Sequence, residues 1–299
     1  MNKLILDEKK VRKGKPVGLP YVGSKKKISK KIIEIIKQNF DIEGKVIYDV
    51  FGGGGAITSE CVINGLPVVY NDLDNSVVAM FTKAISGNRE WLKTLIISRE
   101  EFMEIRDKEN KTTDDNLKLL INSFGNNRKG YLYSKEYSDL KFNLTKDIIE
   151  NHNCFSSYKQ TETYKKAHKP YFNGKLERGK VIEQLQRLEQ LERLQQLEEK
   201  NSIIDITIKE YKELYNIKNS ILYLDPPYEN SSNIYINEQF DSKEFYDWAF
   251  KMSKNNIVII SSYEVSDERF EVVYEFTKAR SRLNDTKVGT RTEKLCMVK

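Results

Sequence analysis

Gly52, Gly53, Gly54 and Gly55 follow directly on the apolar run Lys45-Val46-Ile47-Tyr48-Asp49-Val50-Phe51. Such a run reads as a buried parallel strand, and glycine lets a backbone turn tightly and approach a ligand with no Cβ in the way. Ala56–Ile63 then reads as a helix, Asn64-Gly65 as a turn, and residues 66–72 as a second short strand. Strand, glycine loop, helix, strand is the opening of a doubly wound α/β fold. The loop departs from the Gly-x-Gly-x-x-Gly of dinucleotide binders, and a purely structural turn is the competing account of it. Asp72, about twenty residues beyond the first strand, stands where a carboxylate holds ribose hydroxyls.

Before this unit, residues 24–40 read as a helix with Ile28, Ile32, Ile35 and Ile36 on one face. From residue 86 to 200 the alternation of strands and helices stops, and the chain becomes polar, tyrosine-rich and mainly helical. This stretch is expected to be a separate lobe inserted into the first. It ends in Leu185, Leu188, Leu191, Leu194 and Leu197. A period of three is neither the 3.5 of a coiled coil nor the 3.6 of a straight helix, so the stripe winds around the helix rather than forming one seam. A low-complexity helix of variable length is the expectation for it. Strand signals return at residues 203–208, 220–224 and 256–261, and the runs 270–276 and 294–298 read as a closing antiparallel pair. The expected architecture is therefore α/β, with a catalytic domain from residues 1–85 and 201–299 and an inserted domain from residues 86–200.

The sharpest chemical signal is Asp225-Pro226-Pro227-Tyr228, delivered by the apolar run Ile221-Leu222-Tyr223-Leu224. A chance match in a chain of this length is on the order of one in a thousand. Open α/β sheets bind ligands at the carboxyl ends of their strands, which is where this tetrapeptide falls. Two prolines stiffen the backbone and hold its carbonyls in set directions. A ring amine is a poor nucleophile because its lone pair is delocalised. A carboxylate from Asp225 and the Pro226 carbonyl, each accepting one N–H, draw such a nitrogen toward tetrahedral geometry and free its lone pair. The Tyr228 ring offers a face on which a flipped base can stack. A rigid turn is the bland alternative.

Composition bounds the rest. With 299 residues, 39% hydrophobic and 31% charged, the chain is long enough for two lobes and too rich in apolar residues for disorder. No apolar run approaches a membrane span and the first residues lack the apolar stretch of a signal peptide, so a cytoplasmic protein is expected. Cys61, Cys154 and Cys296 share no metal-type spacing, and His152 and His168 are the only histidines; no metal is expected. The net charge of +6 gathers at residues 9–15, at Lys25, Lys26, Lys27, Lys30 and Lys31, at residues 165–169 and at residues 278–282. Such clusters suit phosphates, although lysine-rich solvated faces look the same.

Taken together, residues 49–56, Asp72, residues 225–228 and Leu19-Pro20-Tyr21-Val22-Gly23-Ser24-Lys25 resemble, in type and order, the motifs of Dam-type, class alpha, adenine-N6 DNA methyltransferases. Asn122-Ser123-Phe124-Gly125-Asn126-Asn127 is similar to phage-type members. The resemblance implies a Rossmann-like methyltransferase sheet, S-adenosylmethionine as cofactor, and a target-recognition insert. It implies that Tyr21, Gly23, Ser24 and Lys25 meet the methionine part of the cofactor, with Lys25 pairing its carboxylate. Asp49, Phe51, Gly52, Gly53 and Gly54 would line the cofactor loop, Asp72 and Leu73 the ribose, Tyr211 the adenine, and Asp225 both cofactor and target. Asp225, Pro226, Pro227 and Tyr228 would be catalytic. Ser24 replaces a frequent glycine and Tyr21 a frequent tryptophan; backbone and aromatic face are retained.

For DNA reading, Asn122, Asn126, Asn127, Arg128, Lys129, Tyr131 and Tyr133 supply amides for base edges, cations for phosphates and rings for stacking, unless the aromatics pack the core of the insert. The expected partner is double-stranded DNA, with no membrane and a monomeric chain; a cognate restriction nuclease or an orphan role are both open. Competing targets are cytosine N4, an RNA adenine or a protein glutamine. Asp225 favours adenine by resemblance, since relatives acting on cytosine often carry Ser there and those acting on glutamine Asn. A catalytically silent DNA-binding relative is the alternative from another class.

Overall fold

The computed structural model describes residues 3–172, 181–227, 240–276 and 292–299. Along the chain the elements are α1 (Ser29–Asn39), β1 (Ile47–Asp49), α2 (Ala56–Ile63), β2 (Val68–Asn71), α3 (Asn75–Ser86), α4 (Arg89–Lys93), α5 (Arg99–Asp107), α6 (Thr113–Asn122), α7 (Lys135–His152), α8 (Glu162–Phe172), α9 (Glu183–Gln195), β3 (Ile204–Thr207), β4 (Ile221–Leu224), α10 (Ser242–Met252), β5 (Ile257–Ser262), β6 (Phe270–Glu275) and β7 (Lys294–Val298). They group into two compact units. The first holds residues 1–16, 25–75 and 200–299, and the second residues 17–24 and 76–199. Among the described residues no helix is long and apolar enough to cross a membrane.

The first unit is a seven-stranded sheet in the order β3-β2-β1-β4-β5-β7-β6. The first five strands of that row run parallel; the Val, Ile, Leu and Tyr of β2, β4 and β5 suit burial on both faces, while the edge strand β3 is partly exposed. β7 pairs antiparallel with both β5 and β6, so the two last strands close the sheet as their alternation predicts. The chain steps outward from β1 through β2 to β3, then returns and steps the other way through β4 and β5. β1 and β4 are thus neighbours at the point where the order reverses, the place at which open α/β sheets bind their ligands. One core of this unit packs Leu222, Leu224, Val258 and Ile260 of the strands against Phe245, Trp248, Ala249 and Met252 of α10.

The second unit is helical, with α4 to α9 wholly inside it. Leu185, Leu188, Leu191, Leu194 and Leu197 are all buried, four of them completely. Leucines three apart step about 60° around a helix of 3.6 residues per turn, so four of them span half its circumference. α9 satisfies that arc by packing against both α4 and α6. Arg187 of the same helix is committed too: its buried guanidinium donates to the carbonyls of Ile121 and Ser123, both at 2.7 Å, capping the end of α6.

Candidate active site

β1 ends in Asp49, whose buried carboxylate accepts from the Thr58 backbone N–H at 3.1 Å and its hydroxyl at 2.7 Å. That bridge fastens the strand to α2 beneath the glycine loop. Burial pushes the Asp49 carboxyl up to about 7. Gly52 lies so close to Tyr70 that a Cβ there would stand 2.2 Å from the ring, and the Tyr70 hydroxyl donates to the Gly53 carbonyl at 2.7 Å. Gly53 and Gly55 hold φ values of +47° and +67°, the left-handed region where glycine is at ease. The second glycine of the loop donates its N–H to Asp72 Oδ2 at 2.8 Å, while Asp72 Oδ1 accepts from Asp74. Asp72 therefore lies against the glycine loop, and burial raises its carboxyl above the usual range.

Phe51 stands in an aromatic group with Tyr211 at 5.9 Å, Phe245 at 5.8 Å and Phe240 at 6.4 Å between ring centroids. Tyr211 opens the short turn before β4 and also meets Trp248 at 5.1 Å. What holds this group beside the loop is Asn71, which the sequence reading passed over. Its buried amide donates to the carbonyls of Val50 and Lys209, and its carbonyl accepts from the Thr207 hydroxyl and Lys209 N–H. One side chain thus ties the exits of β1, β2 and β3 together. Leu73, just beyond, is an exposed large apolar side chain.

Asp225 follows β4 immediately, and Asp49 of β1 is in register with Tyr223. Asp225-Pro226-Pro227 and the glycine loop therefore leave adjacent strands at the same edge. Lys25 Nζ donates to Asp225 Oδ1 at 2.6 Å and lies 3.6 Å from Glu293 Oε1. Glu293 in turn accepts from the Ser261 hydroxyl at 2.8 Å. Glu293 reaches this edge because β7 runs antiparallel: the start of β7 lies beside the ends of its parallel neighbours. Lys25, Glu293 and Ser261 are buried, whereas 18% of the Asp225 side chain remains exposed. Burial would lower the Lys25 ammonium, but Asp225 and Glu293 outweigh it and hold the lysine well above its usual value. Burial, countered by Lys25 and reinforced by Glu293, pushes the Asp225 carboxyl up to about 6.

Pro226 is buried and Pro227 partly so. Tyr228 lies outside the described residues, as does the basic cluster at 278–282. Tyr21, Gly23 and Ser24 belong to the second unit; Gly23 adopts a φ of +73°, and the Ser24 N–H donates to the Tyr21 carbonyl at 3.4 Å. Part of the basic leader is spoken for: Arg12 forks onto Glu60 at 2.7 and 2.9 Å, and Lys31 pairs with Glu8.

The proposed DNA readers separate into two sets. Asn122 is buried, donating to the Leu95 and Lys118 carbonyls at 2.7 Å and accepting from Gln184. Tyr131 is buried with its hydroxyl on the Ile97 carbonyl, and the Tyr133 hydroxyl accepts the Glu183 N–H that opens α9. Asn122 and Tyr131 are thus braces inside the insert, which corrects their assignment as readers, Tyr131 following the packing alternative; Tyr133 is partly buried with its hydroxyl engaged. The other set sits on a turn closed by the Ser123 and Tyr131 bridge. Asn127 and Lys129 are exposed there, Asn126 and Arg128 partly so, and Phe124 is 69% exposed. Arg128 holds a φ of +60° and its N–H donates to the Ser123 hydroxyl, so the turn is internally fixed.

A doubly wound sheet with a glycine loop, an acid after β2 and an Asp-Pro-Pro corner after β4 defines a methyltransferase of the α/β class. The family model described as D12 class N6 adenine-specific DNA methyltransferase matches residues 21–283, and the chain belongs to that family. No curated protein matches. Among solved structures, the Haemophilus influenzae protein HI0767, a candidate methylase, aligns at 10% identity over 91% of this chain and 96% of its own, with a TM-score of 0.33. The rRNA methyltransferase aviRa from Streptomyces viridochromogenes aligns at 10% identity over 96% and 87%, with a TM-score of 0.37.

Proposed function

We propose that this methyltransferase transfers a methyl group from S-adenosylmethionine to the N6 amine of an adenine flipped out of duplex DNA. The observation that carries the reading is the position of Asp225, a largely buried acceptor at the sheet edge shared with the glycine loop. The first unit fits the cofactor by chemistry: Asp72 beside Gly53 suits a ribose, and the rings of Phe51 and Tyr211 suit an adenine. When bound, the cofactor supplies an electrophilic methyl.

The chain's own residues handle the amine. The Asp225 carboxylate and the Pro226 carbonyl each accept one N–H, which localises the nitrogen lone pair for attack. After transfer the nitrogen carries one proton too many, and Asp225, with its carboxyl raised to about 6, is a suitable base to receive it. Lys129, Arg128 and Asn127 on the fixed turn of the insert suit phosphates and base edges.

Labelled cofactor offered with defined DNA duplexes, RNA and glutamine-containing peptide tests the reading. Label on adenine N6 of duplex DNA is expected, and label on cytosine, RNA or peptide alone would replace it with the corresponding target.

A further inference from the structure

Glu293 is a buried carboxylate that the transfer chemistry above does not use. It comes from the far end of the chain, is held by Ser261, and faces the same ammonium as Asp225. That ammonium poses a problem for the reaction. At 2.6 Å, Lys25 engages Asp225 Oδ1, an oxygen on the carboxylate that must accept the target N–H. An ammonium on a carboxylate weakens it as an acceptor and competes for its lone pairs. A buried lysine cannot simply withdraw, because an unpaired charge in that setting is strongly unfavourable. A second carboxylate already stands 3.6 Å from Nζ, so a movement of roughly 1 Å gives Lys25 a full charge-assisted hydrogen bond to it.

We propose that Glu293 is the alternative counter-ion of Lys25: when the target amine arrives, the ammonium passes from Asp225 to Glu293 and leaves Asp225 free to accept the amine's N–H. The proton stays on Lys25 throughout, and no bond is made or broken in the step. Glu293 is a positioning residue, acting on the amine only through Lys25 and Asp225. Among the described residues, Tyr223 of β4 and Asp49 of β1 also act electrostatically with Asp225, and neither is a cation. The inference rests on the reading of Asp225 as the acceptor for the amine.

The test compares wild type with Glu293→Gln, which keeps the shape and an acceptor for Ser261 while removing the charge, and with Glu293→Asp. Single-turnover transfer from labelled S-adenosylmethionine to undermethylated bacterial chromosomal DNA is followed from pH 5 to 9. Glu293→Gln is expected to slow transfer about tenfold with unchanged cofactor affinity, and to move the acid limb to lower pH, because the negative charge that raises Asp225 is gone. Glu293→Asp should restore most of the rate. A wild-type rate and limb in Glu293→Gln overturn the proposal, as does a drop in melting temperature with an unchanged rate per folded molecule. A second arm needs no DNA: the ¹³C carboxyl titration of Asp225, recognised by its absence in Asp225→Asn, should fall in midpoint in Glu293→Gln, and an unmoved midpoint overturns the proposal. If the wild type transfers nothing to DNA, the reading of the substrate fails; if it transfers and Glu293→Gln matches it, only the role of Glu293 fails.

Discussion

Lys25 Nζ lies 2.6 Å from Asp225 Oδ1, a contact between a short basic turn near the start of the chain and the corner after the fourth strand. The pair has an exposed counterpart in many proteins, but here the lysine is buried and a third charge, Glu293, shares it. Lys25→Met would leave two carboxylates facing each other without that cation. Breaking a buried pair by removing one partner costs about 3–5 kcal/mol, and the loss should be largest at pH 8, where Asp225 is ionised. At pH 5 protonation of Asp225 relieves the repulsion, so urea unfolding should show a smaller loss there. Equal losses at both pH values would contradict the ion-triad account.

Asp49 makes a separate prediction about stability. Its carboxyl is raised to about 7 in the folded chain by burial, against an ordinary value near 4 when unfolded. Between those values the folded chain holds a proton that the unfolded chain has released, so this group's contribution to stability falls as pH rises from about 4 to about 7. Asp49→Asn should flatten that part of the slope in urea unfolding while Thr58 keeps an acceptor. An unchanged slope would mean that Asp49 is ionised in the folded state.

The glycine loop yields a contrast between packing and binding. Gly52→Ala places a methyl group 2.2 Å from the Tyr70 ring, and overpacking of this kind costs about 1–3 kcal/mol. Asp72→Ala should instead weaken cofactor binding about tenfold or more, as expected for loss of a charged hydrogen-bond partner. Calorimetric titration with S-adenosylhomocysteine separates the two, and an unchanged dissociation constant in Asp72→Ala would remove the ribose assignment.

In the insert, Lys129→Ala should reduce DNA affinity and flatten its salt dependence without changing the melting temperature, because the side chain is exposed. Tyr131→Phe should do the reverse: it loses the bond to the Ile97 carbonyl and lowers stability by about 1 kcal/mol. Fluorescence anisotropy on a duplex and thermal melting measure both. A stable Tyr131→Phe variant that no longer binds DNA would return Tyr131 to the recognition surface.

Much of this could be read from local pattern. The strands at 47–49, 68–71, 221–224 and 257–262 are short apolar runs ended by polar or glycine residues, and such runs announce themselves. The closing pair was legible for the same reason. Glu293 was not, because nothing local distinguishes one more acid before a strand. Its importance comes from β7 running antiparallel to β5, which sequence spacing does not encode. Asn71 left a weak signal, an amide at the end of an otherwise apolar strand beside Asp72. Asn122 and Tyr131 misled because polar side chains of an insert are as able to satisfy its buried carbonyls as to read DNA. The period of three told that the leucine stripe winds around its helix, but not that α4 and α6 embrace that helix, which spacing alone does not encode.

The central claim is that Asp225 receives the amine of adenine. DNA from cells expressing the wild type or Asp225→Ala can be digested to deoxynucleosides and assayed by mass spectrometry for N6-methyl-2′-deoxyadenosine, with S-adenosylhomocysteine affinity measured on the purified proteins. The account predicts N6-methyl-2′-deoxyadenosine with the wild type, none above background with Asp225→Ala, and similar cofactor affinity in both. Undiminished N6-methyl-2′-deoxyadenosine from Asp225→Ala would contradict it.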